Sequence, residues 1–463
     1  MKTLPADLEK AISSFSAALT EHDSYFVLSH HDADGVTSCA ITCDLLRSLG
    51  KDVEFTCLKQ IDSFTAKIVA SHSDKTLVLT DFGSGHHHIL AEHGIADYYV
   101  IDHHKPEGVW EHQINPHDFG IDGGKSVSGA GMAYLVAKSL GRRDMAHLAV
   151  VGAVGDMQDS RGRLESINRI ILADAVEQGT IACDKDIRMF GRMSRSIPQM
   201  LAYSGEPVIP GLSGDQQACS TFIESLGIPL MAGGEYRSYV ELSPKEKETL
   251  FSALYMRMID IGTPEYVIHS MFGEVYTLVK EKFKSELADA KEYATVLNAC
   301  GRQRQPDIAV HVCLGDRGER WDSARKLLEK HRRNLRDGIE YLATAGTESM
   351  PNLSWFSAEA QIDESIIGVV AGMAYGAQII PTGKPILAFA QDRDDPGFYK
   401  VSARANWSLV RAGIHLGDAM RECSRAWGGE GGGHNIAAGA RVPKDKKEEF
   451  LASVDQRFSD QKS

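Results

Sequence analysis

Short apolar runs recur through the first 180 residues, each closed by polar or acidic residues. Residues 25–29 (YFVLS), 77–80 (LVLT) and 98–101 (YYVI) are too short for helices and read as buried strands. Between and after them, 36–49, 127–140 and 145–154 carry apolar residues at helical spacing, the first stopping at Gly50. The opening MKTLPADLEKAISSFSAAL mixes charge into its apolar pattern, which predicts an amphipathic helix rather than a secretory leader. Strands alternating with helices predict a parallel α/β sheet. Ligands of such sheets gather beyond the carboxyl ends of the strands. Here those ends hold Asp, His and Gly.

The pattern changes after about 185. Pro198, Pro207, Pro210 and Gly211 punctuate a mostly helical stretch. Its clearest helix begins at SPKEKETL, with Ser243 as cap and Pro244 in the first turn; 270–295 reads as another long helix. A further unit starts near Asn298. Strands are expected at 308–314, 366–370, 386–390 and 399–404, a charged helix at 321–344, a glycine-dense loop at 428–433 and a surface helix after Lys444. Three domains follow: 1–185, a helical connector at 186–297, and a smaller α/β unit at 298–463.

Composition narrows the function classes. Of 463 residues, 43% are hydrophobic and 24% charged, which excludes wholesale disorder. With 63 acidic and 50 basic residues the formal charge is −13, which argues against a generally basic nucleic-acid coat. Eight scattered cysteines include no CxxC pair, so a structural zinc site is not expected and reduced cytoplasmic thiols are. No apolar stretch is long enough to span a membrane.

The candidate chemistry lies at the strand ends. His30-His31-Asp32-Ala33-Asp34-Gly35 follows the first strand, Asp81 the next, Asp102-His103-His104 the third, and Asp156 the helix at 145–154. Alternation along an extended chain would turn His30, Asp32 and Asp34 to one side and His31 to the other. Any one Asp there is ordinarily a cap or turn residue; the ordered set is not explained that way. Clustered carboxylates repel without cations, and carboxylate with imidazole suits Mn²⁺, Mg²⁺ or Fe²⁺.

This ordered set resembles the DHH phosphoesterase superfamily, and within it the archaeal RecJ-like exonucleases of the GINS-associated nuclease type. Leu297 to Arg302, Cys313 to Asp316 and Gly431 to Gly439 are similar to the same branch. The resemblance implies an N-terminal parallel-sheet DHH domain, a helical insert and a DHH-associated C-terminal domain, with the active cleft between the lobes. It implies two Mn²⁺ ions, with Mg²⁺ as the alternative. His30, Asp32 and Asp81 would hold one, and Asp34, Asp81, His103 and Asp156 the other. Asp102 and His104 would support the site and touch the substrate phosphate. The implied reaction is two-metal hydrolysis of phosphodiester bonds in single-stranded DNA or RNA. The implied protein partner is the GINS complex of the replicative helicase, docked through the insert or the C-terminal domain. A nuclease-like scaffold and a phosphatase for short oligonucleotides are the alternatives.

The glycine run before His434 can bring backbone N–H groups close to a phosphate. Ser402 and Arg404 lie two apart on the expected strand and share a face. By resemblance Ser402, Arg404, Gly432, Gly433 and His434 form the phosphate grip. Arg188, Arg192 and Arg195, and the basic residues of 302–336, are candidates for a backbone-tracking groove. Two signals are set aside. Gly124-Lys125-Ser126 lacks the earlier P-loop glycine, since Phe119 stands there. His86-His87-His88 is expected to open a helix with its imidazoles facing solvent.

Overall fold

Five strands, β1 (Ser24–His30), β2 (Asp52–Leu58), β3 (Thr76–Thr80), β4 (Tyr98–Ile101) and β5 (Gln113–Ile114), form an all-parallel sheet in the order β2-β1-β3-β4-β5. The chain leaves β1 for one neighbour and returns past it to the other. The order therefore reverses between β1 and β3, and the crevice above their carboxyl ends is the expected ligand position. Both faces are covered, which explains the unbroken apolar runs. Tyr25, Val27, Val78, Tyr99 and Ile101 join one core; Phe26, Leu28, Leu77, Leu79, Tyr98 and Val100 join the opposite one.

The helices of this region are α1 (Ala6–Leu19), α2 (Ala33–Ser48), α3 (Thr65–Ala70), α4 (His87–Glu92), α5 (Gly123–Ser126), α6 (Gly129–Ser139), α7 (Ala146–Gly155) and α8 (Ser166–Glu177). The computed structural model describes residues 3–61, 65–72, 74–204, 207, 209–376 and 379–462. The chain divides into two compact units, one built from Met1–Ser204 with Ile209–Leu328 and the other chiefly from Glu329–Ser463.

The boundary expected at 298 falls instead after Leu328. Helix Ala290–Arg302 packs on α7 and α2, and helix Pro306–Cys313 on α2, so both belong to the first unit. The strand expected at 308–314 is that second helix. Pro306 occupies its first turn, and Ile308, Ala309, Val310, Val312 and Cys313 are all buried, which hides its period. The long helix expected at 270–295 is a strand, Phe272–Leu278, pairing antiparallel with Ile181–Ile187. The helix that follows starts only where Asp289 accepts from the N–H groups of Lys291 and Glu292. Helix Pro244–Asp260 agrees with expectation: Ser243 and Glu246 form a reciprocal cap, and Pro244 sits in the first turn. With Ile197–Ala202 and Gln216–Ser225 it encloses a core of its own that includes Met200, Leu201, Ile223, Leu250 and Leu254.

Among the described residues of the second unit six strands run in the order Glu348–Ser349, Ser354–Glu359, Ile386–Gln391, Phe398–Arg404, Ala437–Pro443, Glu430–Gly433. The strand expected at 366–370 is the helix Ile367–Gly376, which covers the two central strands and is apolar nearly all round. The glycine-dense loop is an edge strand rather than a loop. The terminal helix Lys447–Lys462 buries Phe450, Leu451, Val454 and Phe458, so it is core-forming rather than superficial. Among the described residues no helix is long and apolar enough to cross a membrane.

Candidate metal centre

β1 ends at His30, and the chain turns at once into α2. Asp32 caps that helix, its Oδ1 accepting from Gly35 N at 3.0 Å. Gly35 is required by contact: a Cβ there would lie 2.2 Å from the carbonyl oxygen of His30. Strand alternation therefore does not bring His30, Asp32 and Asp34 together, as the extended reading supposed; a strand-to-helix turn distributes them. Asp34 lies in the first turn of α2 and accepts from Gly129 N (2.7 Å) and Ala130 N (3.0 Å), the free amides at the start of α6. Asn298 Oδ1 accepts from Ala33 N at 2.9 Å, so the distal Leu297–Arg302 phrase braces this turn.

Ser29 pairs with Thr80 across β1 and β3, so His30 and Asp81 leave the sheet side by side. Asp81 takes a φ of 60°, left-handed backbone that a non-glycine residue rarely adopts, at 2% exposure. One of its oxygens, Oδ2, lies 3.7 Å from His30 Nδ1; the other, Oδ1, lies 3.2 Å from His103 Nε2 and has no hydrogen-bond partner among the described residues. A Cβ on Gly129 would stand 2.5 Å from that same oxygen. His103 Nδ1 is 3.0 Å from the carbonyl oxygen of Gly123 and donates to it in the neutral ring, leaving Nε2 as a lone-pair donor facing Asp81 and, at 3.5 Å, Asp34.

Among the described residues, three groups have donor atoms within 4.8 Å of one another: His30, Asp32 and Asp81; Asp34, His103 and Asp156; and Asp81, His103 and His104. Asp81 thus joins the His30 side to the His103 side. Burial, reinforced by Asp81, raises the Asp34 carboxyl well above its usual range, and burial likewise raises Asp156. Burial opposes charge on His30 and His103, yet Asp32 and Asp81 around the first, and Asp81, Asp156 and Asp34 around the second, raise both. Against burial, His30 holds Asp32 low. A buried orphan carboxylate oxygen, an imidazole lone pair aimed at carboxylates, and acids pushed up by one another fit divalent cations.

Asp102 is not part of that donor set. It is fully buried and accepts from Ser84 N (3.1 Å), Ser84 Oγ (2.5 Å), His103 N (2.7 Å), His104 N (3.1 Å) and His104 Nδ1 (2.9 Å). It shapes the loop that presents His103 and His104. Although burial opposes it, Asp102 raises the His104 pKa to about 9, and that side chain is half exposed. Asn115 holds Ser84 Oγ (2.9 Å) and the His104 carbonyl (2.8 Å). Asn298 lies in the Leu297–Arg302 phrase that the sequence marks, whereas Asn115, Gly123 and Gln158 carry no signal there, and Ser84 carries only its place between two glycines after Asp81.

His31 is edge-on to His30, outside all three groups, and burial lowers its pKa to about 4. The His86–His88 tract does not simply face solvent. His87 bonds Tyr98 (2.7 Å) and Gln113 (3.1 Å) and stacks on Trp110, while the exposed His88 pairs with Glu107. Nor do Arg188 and Arg192 line a groove: both are buried, against Asp159 and against Asp186 with Asp289.

In the second unit Ser402 and Arg404 share a face of their strand beneath helix Ile367–Gly376. A Cβ on Gly368 would lie 2.5 Å from Arg404 Nη2 and 2.9 Å from Ser402 Oγ. Arg404 also donates to the Ala403 carbonyl at 2.8 Å. Two strands away in the sheet, Gly432 and Gly433 pair with Gly439 and Ala438. His434 follows, exposed, its N–H bonded to the Ala437 carbonyl at 2.8 Å.

The fold and cluster define a doubly covered α/β protein with a divalent-cation donor set at its switch point, followed by a second α/β unit. The chain belongs to the DHH superfamily and is RecJ-like: the DHH family N-terminal domain matches residues 24–153, the DHH-CID domain 189–272 and the DHHA1 domain 352–460. It is 28% identical over 469 residues to an uncharacterized protein of Methanocaldococcus jannaschii, covering 98% of each chain. It is 24% identical to the single-stranded-DNA-specific exonuclease RecJ of Dickeya dadantii, over 98% of this chain and 69% of that one. In fold it is similar to RecJ from Thermus thermophilus in complex with Mn²⁺ (TM-score 0.60, 18% identity), covering 99% of this chain but only 56% of that one. Its fold is also similar to CDC45 from Entamoeba histolytica (TM-score 0.63, 12% identity), over 98% of both.

Proposed function

We propose that this chain is a Mn²⁺-dependent phosphodiesterase, with Mg²⁺ as the alternative ion, acting as an exonuclease on single-stranded DNA or RNA. The observation that carries this reading is Asp81: buried, held in left-handed backbone and with one oxygen unpartnered between two groups of ligand atoms. His30, Asp32 and Asp81 would hold one cation, and Asp34, Asp81, His103 and Asp156 the other. When bound, the pair supplies Lewis acidity and an activated water for in-line displacement at phosphorus.

The remaining groups have assignable tasks. His104, fixed by the Asp102 carboxylate at Nδ1, turns its other ring nitrogen to donate to a phosphate oxygen. Ser402, Arg404, the Gly432–Gly433 backbone and His434 bind the nucleic-acid backbone. In this assignment 1–185 does the chemistry, and the insert at 186–297 or the C-terminal domain at 298–463 carries the docking surface. Single-stranded DNA or RNA ends tested with Mn²⁺, Mg²⁺ or EDTA decide the reading. Mononucleotide release with Mn²⁺, none with EDTA and none by Asp81→Ala is expected. No hydrolysis of either polymer, or of short oligonucleotides, with either ion would sink it.

The whole-length similarity of fold to CDC45 supports a second reading, a replisome scaffold bound to GINS and the replicative helicase. In that case GINS binding persists in Asp81→Ala. Failure of the intact chain to bind GINS at micromolar concentration removes the partner from both readings.

A further inference from the structure

We propose that Gln158 is a positioning residue that locks Asp156 and His103 into one rigid half of the cation site. It presupposes the divalent-cation site proposed above. Asp156 is the ligand the fold supports least. Asp34 sits at helix amino termini, but Asp156 is the carboxyl-terminal cap of α7, where the helix dipole disfavours a carboxylate. The only hydrogen bond its side chain accepts among the described residues comes from Gln158 Nε2, at 2.8 Å to Oδ2.

The same Nε2 donates to the carbonyl of Gly123 at 2.9 Å. That carbonyl also receives His103 Nδ1 at 3.0 Å, so its two lone pairs are both used. One amide therefore ties a ligand carboxylate to the carbonyl that sets the tautomer of a ligand imidazole. The amide cannot turn over, because buried Asn168 on α8 donates to Gln158 Oε1 at 2.6 Å. The turn itself is forced: Met157, exposed between the two side chains, takes a φ of 58°. Beyond it, Arg188 Nη2 grips the Asp159 carbonyl (2.7 Å) and carboxylate (2.5 Å). A neutral amide also suits the task chemically. Lys or Arg in its place would neutralise Asp156 and compete with a cation.

Calorimetric titration of the full chain with Mn²⁺ at fixed pH tests this, with melting of the cation-free protein alongside. Wild type should show two binding steps, and His30→Ala should remove one, which assigns the other to the His103 side. Gln158→Met, similar in length but without donors, should weaken that other step by about tenfold or more. It should leave the His30-dependent step within about threefold and the melting temperature nearly unchanged. Asn168→Leu, which frees the amide to turn, should produce a smaller loss in the same step, and it is read by the same criteria should Gln158→Met not fold. Wild-type affinities in the variants would overturn the role of Gln158 alone. So would parallel weakening of both steps with a lowered melting temperature, which marks a packing role. Absence of Mn²⁺ binding by wild type would sink the cation reading and the Gln158 role together.

Discussion

The carboxylate–histidine cluster and the glycine-edged sheet of the second unit are both polar sites on α/β scaffolds, yet they are built in opposite ways. In the first, charges are buried and fixed by backbone amides, a strained turn and neighbouring side chains, so that Asp81 keeps an oxygen with no partner. In the second, His434 is exposed, the glycines form an edge strand, and Arg404 rests on a neighbouring carbonyl. The first arrangement stores repulsion that a cation relieves; the second offers donors that water also satisfies. Preorganisation should make the first site intolerant of small changes and the second forgiving.

The largest expected effect is that of Asp81→Ala. Hydrolysis should fall by about a thousandfold or more, since both cation positions lose a ligand. The cation-free protein should melt no lower than wild type, because repulsion on Asp34 and Asp156 is relieved. Near-normal turnover in saturating Mn²⁺ would erase the contrast between the regions. Next is Gly129→Ala, a single methyl 2.5 Å from Asp81 Oδ1, expected to weaken Mn²⁺ binding by about ten- to a hundredfold in calorimetry while helix α6 persists.

Arg404→Ala should weaken oligonucleotide binding by about tenfold and leave Mn²⁺ affinity unchanged, as a lost charge-assisted phosphate contact would. His434→Ala should do the same to a lesser degree. Lost Mn²⁺ affinity with unchanged oligonucleotide affinity would contradict the division of labour. The smallest effect is on pH dependence. The folded His104 pKa of about 9 exceeds the ordinary imidazole value near 6.5, so its contribution to stability is complete below about pH 6.5 and lost as pH rises through 9. Half exposure screens it, so the slope should be shallow. Melting of the cation-free protein should fall over this window, and His104→Ala should remove part of that fall.

The sequence made the first region legible because most of its clustered Asp and His residues directly follow apolar strands. The runs ending at Asp81 and before Asp102 are strands at or within one residue of the expected positions. Where the apolar period is ambiguous, strand and helix look alike in sequence. The apolar stretches at 308–314 and 366–370 are helices buried nearly all round, and their β-branched residues imitate strands. The 270–295 segment holds a strand because Ile181–Ile187 offers it a partner about 90 residues away in sequence. The basic 188–195 segment suggests a backbone-tracking groove, but Arg188 is buried against Asp159 and Arg192 against nearby Asp186 and distant Asp289.

By itself the sequence determined the parallel sheet, the ordered Asp and His residues at element ends and the superfamily. These depend on local period and on residue types at element ends, which a linear reading retains. Tertiary structure alone decided that Asp81 faces two groups of donor atoms, that Asp34 is seated on the amides of α6, that Gln158 ties Asp156 to the Gly123 carbonyl, and that Asn298 braces the turn at Ala33. Those outcomes depend on which elements meet in space. Chain segments far apart in sequence supply the amides, carbonyls and missing Cβ atoms that give each side chain its direction and charge.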